Sequence, residues 1–239
     1  MFTPARKLKV KIFADGAEKE KMLAAAKNPL IDGFTTNPTL MKKAGITDYK
    51  KFAQEILKEI TVKPISFEVF SDEFNEMEKQ AKQIASWGKN VYVKIPVTNT
   101  KGQLATPLIK KLSDSSIKIN VTAILTLDQV KEVVASLENS PGAYVSVFAG
   151  RIADSGIDPL QIMKKSVELL QSNLNLELIW ASPREVLNVV QAEQIGCHII
   201  TITESILKKL SLLGKDLNKY SLETVDMFYN DAKEAGFII

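Results

Sequence analysis

The amino-acid sequence predicts an α/β protein whose fold is a (β/α)8 TIM barrel with an extra C-terminal helix. Eight short apolar runs, rich in β-branched residues, alternate along the chain with amphipathic helical patterns. The runs are apolar enough to be covered on both faces, as the strands of a closed parallel barrel are. The length of 239 residues also suits a single-domain barrel.

The predicted strands are, in chain order, "LKVKIFAD", "IDGFTTN", "PISFEVF", "NVYVKIP", "IKINVTAIL", "AYVSVFAG", "LELIWAS" and "CHIITIT". Helical patterns lie between them. In "FNEMEKQAKQIASW" the apolar residues keep helical spacing at Phe74, Met77, Ala81, Ile84 and Ala85. A doubly wound open sheet is the alternative, but it often has a Gly-rich first turn, and no GxGxxG or Walker A sequence follows any of these runs.

The segment after the eighth unit, "SLETVDMFYNDAKEAGF", predicts a helix over about 221–235. Its apolar residues fall on one face: Leu222, Val225, Phe228, Tyr229 and Ala232. We expect this helix either to cap the barrel or to dock on a neighbouring subunit, so a homo-oligomer is possible. Because no Pro/Gly/Ser-rich linker divides the chain, we expect residues 1–239 to form one domain.

Composition and charge narrow the classes of partner. The chain is 45% hydrophobic and 25% charged, with a net charge of +3 from 31 basic and 28 acidic residues. The basic residues are scattered, so no nucleic-acid-binding stripe is expected. A single cysteine, Cys197, excludes an internal disulfide and a CxxC metal site. We find neither an apolar run of about 18 residues nor a secretory h-region, so we expect no membrane association and a cytoplasmic protein.

Polar residues cluster at the predicted strand ends, and the active site of such a barrel lies at the C-terminal ends of its strands. Lys94 interrupts the apolar run "NVYVKIPVT", and a lysine is almost never fully buried unless it is paired or used. The candidate residues are Asp15, Asn37, Glu68, Lys94, Asn120, Thr122, Ser146, Arg151, Ser182 and Arg184.

Each candidate also has a structural interpretation. Asn37 and Ser182 each precede a proline and could be helix N-caps, and Asp15 could be a turn or cap residue. Glu68 and Lys94 could form a structural ion pair. Either arginine, Arg151 or Arg184, could be an ordinary surface residue. The only histidine, His198, and its neighbour Cys197 are expected to pack near the start of the eighth strand.

Taken together, these residue types favour Schiff-base chemistry. No histidine is available for a Ser/His/Asp relay, and the carboxylates lack the His or Cys companions of a transition-metal site. A neutral lysine amine can attack a ketone to form an imine, which then accepts electrons from a neighbouring C–C bond. Carboxylates can move the protons, and arginines suit a phosphate. The set predicts a Schiff-base aldolase or transferase that acts on a sugar phosphate.

The residues also resemble a known family, the transaldolases, and in particular their short branch that includes the fructose 6-phosphate aldolases. The similar stretches run in the family's order across nearly the whole chain: "FADGA", "DGFTTNPTLMKKAGITDY", "PISFEVF", "VYVKIP", "NVTAIL", "YVSVFAGRIADSG" and "WASPREVLNVVQAEQIG". In detail the chain looks most like transaldolases of this length from some Gram-positive bacteria.

The resemblance implies roles for the candidates. Lys94 forms the Schiff base with the C2 carbonyl of a ketose phosphate, and Asp15 takes the proton from the C4 hydroxyl. Glu68, with Thr122, holds the water that mediates proton transfer. The remaining residues bind the substrate: Asn37, Asn120 and Ser146 at the donor's hydroxyls, and Arg151, Ser182 and Arg184 at the distal phosphate. The family requires no metal or organic cofactor.

The resemblance further favours transfer over simple cleavage. The aldolase branch has a tyrosine on strand 6 and a glutamine on strand 3, where this chain has Phe148 and Glu68. Phenylalanine offers no proton, so the enamine is expected to wait for an aldehyde. The implied reaction moves dihydroxyacetone from sedoheptulose 7-phosphate or fructose 6-phosphate to glyceraldehyde 3-phosphate or erythrose 4-phosphate, in the pentose phosphate pathway.

Alternatives and departures from the family pattern stay open. The alternatives are a fructose 6-phosphate aldolase, a related enzyme for a modified sugar such as a sulfonated one, and a non-catalytic sugar-phosphate-binding barrel. Pro183 replaces a usual aromatic residue and is expected to tilt the phosphate site. Thr203 and Glu204 stand where the family often has prolines, and an acidic Glu204 near the mouth is expected to disfavour phosphate.

Overall fold

A computed structural model describes residues 8–239. Eight parallel strands close into a barrel in chain order, and the eighth pairs back with the first. The strands are β1 (Lys11–Asp15), β2 (Ile31–Thr35), β3 (Ile65–Glu68), β4 (Val91–Pro96), β5 (Ile119–Ile124), β6 (Ala143–Val147), β7 (Leu176–Trp180) and β8 (Ile199–Ile202). Each lies within one of the predicted runs, so the predicted fold class is confirmed.

Helices follow each strand along the chain. They are α1 (Lys19–Ala26), α2 (Pro38–Lys43), α3 (Tyr49–Glu59), α4 (Phe74–Ala85), α5 (Thr106–Asp114), α6 (Leu127–Ser136), α7 (Ala149–Asp154), α8 (Leu160–Leu170), α9 (Leu187–Gln194), α10 (Glu204–Lys209) and α11 (Leu217–Ala235). On α4 the predicted apolar face is the buried one, with Met77, Ala81 and Ile84 in the core. Among the described helices, none is long and apolar enough to cross a membrane.

Strand alternation places two kinds of side chain inside the barrel. Successive residues of a strand point to opposite faces, so Val93 and Ile95 face the helices, while Tyr92 and Lys94 face the interior. The Tyr92 ring stacks on Tyr144 of β6 at 4.0 Å between centroids, and Phe13 meets Tyr144 edge to face at 5.6 Å. We call these three rings the aromatic floor. They fill the barrel interior at the level of Tyr92, two residues before Lys94 on the same strand.

A glycine on β2 makes room for this floor. A Cβ atom at Gly33 would lie 2.6 Å from the Phe13 ring, closer than carbon atoms approach in proteins. The absence of a side chain at Gly33 therefore lets the Phe13 ring occupy the barrel interior. Above the aromatic floor, toward the C-terminal ends of the strands, the interior side chains are mostly polar.

The barrel occupies Leu8–Leu207, and the residues from Lys208 onward form a second compact unit. In that unit α11 begins at Leu217, four residues before the predicted start, because Asp216 caps it by accepting a hydrogen bond from the Lys219 amide at 3.0 Å. The apolar face of α11 is exposed; Phe228, for example, is 63% exposed. The single-domain organisation and the capping or docking role of this helix stay predictions.

Candidate active site

A cavity of about 490 Å³ opens at the C-terminal ends of the strands. Ten of the eleven predicted site residues line it: Asp15, Asn37, Glu68, Lys94, Thr122, Ser146, Phe148, Arg151, Ser182 and Arg184. The eleventh, Asn120, lies just beneath the cavity wall and is fully buried. The barrel therefore brings the predicted residues to one mouth, although they are spread over 170 positions of the sequence.

Lys94 lies at the centre of this arrangement and is 5% exposed. Its register neighbours are Glu68 on β3 and Asn120 on β5. The Lys94 Nζ atom donates to the Thr36 carbonyl at 3.1 Å and lies 3.2 Å from Glu68 Oε2. The lysine that interrupts the apolar run of β4 is thus buried, paired and directed into the cavity.

Glu68 ends β3 beside Lys94 and is largely buried. Burial raises the pKa of the Glu68 carboxyl above its ordinary value, although the Lys94 charge acts in the opposite direction. The Tyr49 hydroxyl of α3 donates to the Glu68 carbonyl at 2.8 Å, which fixes the end of the strand. A carboxyl in this setting can take up and release a proton nearer to neutral pH than an exposed one.

Asp15 ends β1 and lines the same cavity as Lys94. The Thr35 hydroxyl donates to Asp15 Oδ1 at 2.8 Å, and Thr201 Oγ1 lies 2.5 Å from Thr35 Oγ1. Because Thr35 has one hydroxyl proton and gives it to Asp15, Thr201 donates to Thr35. Burial raises the pKa of Asp15, while the Lys94 charge and the Thr35 hydrogen bond lower it by less. Helix α1 begins only at Lys19, so the cap interpretation of Asp15 is wrong.

Two hydrogen bonds inside the barrel link side chains of three strands, β6, β5 and β3. Ser146 of β6 donates to Asn120 Oδ1 at 2.7 Å, and Asn120 Nδ2 donates to Ser66 Oγ of β3 at 2.9 Å. Asn120 therefore orients Ser146, which does line the cavity. Asn120 itself has no direct opening to the cavity.

Thr122 sits where the pairing of β5 with β6 changes register. Ala123 has φ +60°, and the register shifts between Val121 and Ile124. Such a bulge re-aims the side chains beside it. The Thr122 hydroxyl is buried, lines the cavity and has no hydrogen-bond partner among residues 8–239. Buried hydroxyls are normally satisfied, so a molecule in the cavity is its natural partner.

The N-cap interpretation holds for Asn37 and fails for Ser182. Asn37 Oδ1 accepts a hydrogen bond from the Leu40 amide at 2.9 Å, and Pro38 opens α2. The Asn37 amide nitrogen remains available to the cavity that the residue lines. Ser182 has φ +60°, and α9 begins only at Leu187, so Ser182 caps no helix.

Two arginines stand at the rim. Arg151 of α7 is exposed, and its guanidinium lies 5.7 Å from the centre of the Phe148 ring. Arg184 is paired with a carboxylate of α7. Its Nε donates to Asp154 Oδ1 at 2.9 Å, and its Nη2 donates to Asp154 Oδ2. Lys43 of α2 adds a third cation to the cavity lining.

The departures from the family pattern have structural consequences. Pro183 and Thr203 line the cavity, whereas Glu204 does not. Glu204 instead lies 3.1 Å from the Lys21 ammonium, which offsets its charge. The expected repulsion between Glu204 and a phosphate is therefore weakened by Lys21.

Sequence reasoning missed four residues of the site: Thr35, Thr201, Lys43 and Asp154. Thr35 pairs in register with Asp15, and Thr201 lies two residues after Ile199 on the interior face of β8. Applying the period-2 alternation to these strands would have indicated both threonines. Asp154 and Lys43 are exposed residues of short helices, and no local pattern distinguishes them.

Cys197 and His198 lie just before β8, at the end of the barrel opposite the cavity. Burial raises the pKa of the Cys197 thiol to about 12. His198 Nδ1 accepts a hydrogen bond from the Leu178 amide at 3.0 Å, and burial lowers the pKa of its imidazole. Both therefore pack as expected. Within the described part of the chain, no group of three or more His, Cys, Asp or Glu side chains could hold a metal ion.

We predict that Asp15→Asn stabilises the protein at pH 7, raising Tm by a few °C. Because the folded-state pKa of Asp15 is raised, its stabilising contribution is complete below the unfolded value of about 3.9 and is lost as pH rises through the folded value. The gain in the variant should therefore be largest at neutral pH and shrink on acidification. Thermal unfolding between pH 4 and pH 8 measures it.

Asp72→Asn provides a comparison of opposite sign. The Asp72 carboxylate accepts hydrogen bonds from the Thr100 amide at 2.7 Å and hydroxyl at 2.8 Å, which lower its pKa. Its contribution is present at neutral pH, so this variant should lose stability there. If Asp15→Asn shows no gain at pH 7, or a gain that grows on acidification, the assigned direction for Asp15 is wrong.

Comparisons with known proteins identify the family of the chain. The family model described as Transaldolase/Fructose-6-phosphate aldolase matches residues 12–238. A protein of Thermoanaerobacter sp. (strain X514) named "Probable transaldolase" is 37% identical over 232 residues, covering 96% of this chain and 100% of the relative. A protein of the same name from Clostridium kluyveri is 36% identical over 203 residues, covering 84% of this chain and 89% of the relative.

A solved structure supports the fold alone. The chain superposes on a dihydrodipicolinate synthase from Rhodopseudomonas palustris with a TM-score of 0.58 at 13% identity, covering 93% of this chain and 79% of that one. The family model and the relatives, in contrast, show common ancestry across most of the sequence. This chain belongs to the transaldolase/fructose-6-phosphate aldolase family.

Proposed function

We propose that the protein is a transaldolase that works through a Schiff base on Lys94. It would transfer a dihydroxyacetone unit from sedoheptulose 7-phosphate or fructose 6-phosphate to glyceraldehyde 3-phosphate or erythrose 4-phosphate, a reaction of the pentose phosphate pathway. One observation carries the proposal. A buried lysine amine lies 3.2 Å from the Glu68 carboxyl and shares one cavity with it and with the Asp15 carboxyl, and burial raises the pKa values of both carboxyls.

The first stage is imine formation. The neutral Lys94 amine attacks the C2 carbonyl, and the carbinolamine that results loses water to give the iminium ion. Protons must reach the departing oxygen, and a carboxyl with a raised pKa can deliver them. Glu68, at 3.2 Å from Lys94 Nζ, is placed for this task. The unpartnered Thr122 hydroxyl can hold the water that relays the proton.

The second stage breaks the C3–C4 bond. Asp15 removes the C4 hydroxyl proton, the C4 oxygen forms an aldehyde carbonyl, the C3–C4 electron pair becomes the C2=C3 double bond, and the C=N π pair moves to the nitrogen. The first aldehyde leaves, and a three-carbon enamine stays on Lys94. In the reverse direction the enamine attacks the acceptor aldehyde, and Asp15 returns the proton. The hydrogen bond from Thr35 fixes the Asp15 carboxylate for this step.

The rim supplies recognition of the rest of the sugar. The Asn37 amide nitrogen and the Ser146 hydroxyl border the cavity beside Lys94, where the donor's hydroxyls would lie. Arg151, Arg184 and Lys43 give the rim a positive charge suited to a distal phosphate. Ser182, which lines the same cavity, would add a hydroxyl. Sugar phosphates are therefore the proposed substrates.

Lys94→Met tests the proposal most simply. The substitution removes the amine but keeps a long side chain, so we expect the fold to persist and transfer from fructose 6-phosphate to erythrose 4-phosphate to fall by at least roughly 10³-fold. A coupled assay of glyceraldehyde 3-phosphate release measures the rate. Lys131→Met, at an exposed lysine of α6, is the matched control and should retain the wild-type rate.

Substantial turnover by a folded Lys94→Met protein would rule out the Schiff-base assignment. A wild-type protein that binds the sugar phosphates without any turnover would instead favour the non-catalytic binding barrel.

Phe148→Tyr tests transfer against simple cleavage. Phe148 lines the cavity and brings no proton, so the wild-type enamine should persist until an acceptor arrives. A phenol at this position can protonate the enamine. We therefore expect the variant to release more free dihydroxyacetone from fructose 6-phosphate without an acceptor, measured by an assay specific for dihydroxyacetone.

Phe70→Tyr is the control, because Phe70 is exposed and lies outside the cavity lining. Equal dihydroxyacetone release by wild type, Phe148→Tyr and Phe70→Tyr would show that Phe148 does not control the fate of the enamine. If the wild-type protein already releases abundant dihydroxyacetone without an acceptor, the protein is a fructose 6-phosphate aldolase.

A further inference from the structure

The ion pair between Arg184 and Asp154 has the geometry of an orienting contact. Two guanidinium nitrogens, Nε and Nη2, each donate to a different carboxylate oxygen of Asp154. Such a bidentate pair fixes the plane of the guanidinium as well as its position. The side chains are 46% and 53% exposed, and exposed ion pairs contribute little to stability. The main effect of the contact is therefore on where Arg184 points.

The backbone is built so that this contact can form. A Cβ atom at Gly150 would lie 1.5 Å from the Ser182 carbonyl oxygen and 3.3 Å from Arg184 Nε. Only glycine permits so close an approach between α7 and the loop after β7. This approach puts Arg184 against Asp154, the last residue of α7, and leaves Arg151, one turn earlier on the same helix, at the same rim.

The guanidinium keeps free donors on the side away from Asp154. Its Nε–H and one Nη2 hydrogen are engaged, so the remaining N–H groups are available to an anion at the rim. A free arginine side chain has many rotamers, and a bound one has lost that freedom. Holding Arg184 in advance therefore removes part of the entropic cost of binding an anion.

We propose that Asp154 is a positioning residue that orients Arg184 toward the anionic group of the acceptor, and so sets the preference for phosphorylated over unphosphorylated aldehydes. This inference rests on the proposed transaldolase function. It goes beyond it because Asp154 does not line the cavity and acts only through Arg184. A pure charge effect would have the opposite sign, since removing an acidic group would strengthen anion binding.

The test compares two acceptors, erythrose 4-phosphate and erythrose, with fructose 6-phosphate as donor, and follows the glyceraldehyde 3-phosphate that both reactions release. For Asp154→Ala we expect the ratio of kcat/KM for the phosphorylated acceptor to kcat/KM for the unphosphorylated one to fall by about tenfold, mainly through a higher KM for the phosphorylated acceptor. A tenfold loss corresponds to the strength of one charge-assisted hydrogen bond. Asp154→Asn keeps an oxygen that can accept from Arg184 Nε, so its loss should be smaller. In an Arg184→Ala background, Asp154→Ala should have no further effect.

Asp114→Ala is the matched control. Asp114 is 48% exposed and pairs with Lys110 at 3.3 Å at the end of α5, toward the opposite end of the barrel. It should leave the acceptor ratio unchanged. Circular dichroism and thermal unfolding of each variant confirm that the compared proteins are folded.

An acceptor ratio that is unchanged or higher in Asp154→Ala and Asp154→Asn would overturn the inference, as would an additive effect in the double variant. These outcomes leave the proposed function standing as long as turnover depends on Lys94. Turnover that survives Lys94→Met would contradict the proposed function itself, whatever the Asp154 variants do.

Discussion

The site depends on one buried ion pair, the Lys94 ammonium and the Glu68 carboxylate at 3.2 Å, held above a floor of aromatic rings. Removing both charges from water costs free energy that their attraction does not fully return. Burial outweighs the attraction of Lys94 in setting the pKa of the Glu68 and Asp15 carboxyls, since both pKa values are raised. The barrel therefore carries this group at a cost to its stability, as functional sites commonly do.

The rest of the mouth is arranged around that pair. The Thr36 carbonyl accepts from the Lys94 ammonium, and the Thr201–Thr35 hydrogen bonds hold Asp15. Under the proposed mechanism the iminium ion keeps the positive charge of the lysine, so both carboxylates retain a partner in the covalent intermediate. The neutral enamine has no such charge. The same electrostatics thus favour the iminium ion, in which the C–C bond breaks.

Much of this could be predicted from the sequence, because strand alternation is local. Once β4 is recognised, the period of two places Lys94 inside the barrel, and parallel register places Glu68 and Asn120 beside it. The partner of a long exposed side chain is not local. Arg184 reaches Asp154, 30 positions away, only because Gly150 lets α7 approach the loop after β7. Likewise, the positive φ of Ser182 has no sequence signal, so the "SP" dipeptide suggested a cap that does not form.

The central claim is that Lys94 becomes covalently bonded to its substrate. Borohydride reduction in the presence of fructose 6-phosphate, followed by peptide mass mapping, tests it directly. The account predicts a reduced three-carbon adduct on Lys94, which requires both an imine and cleavage of the C3–C4 bond. An unmodified Lys94 in folded protein that binds the sugar, or an adduct on a different lysine, would contradict it.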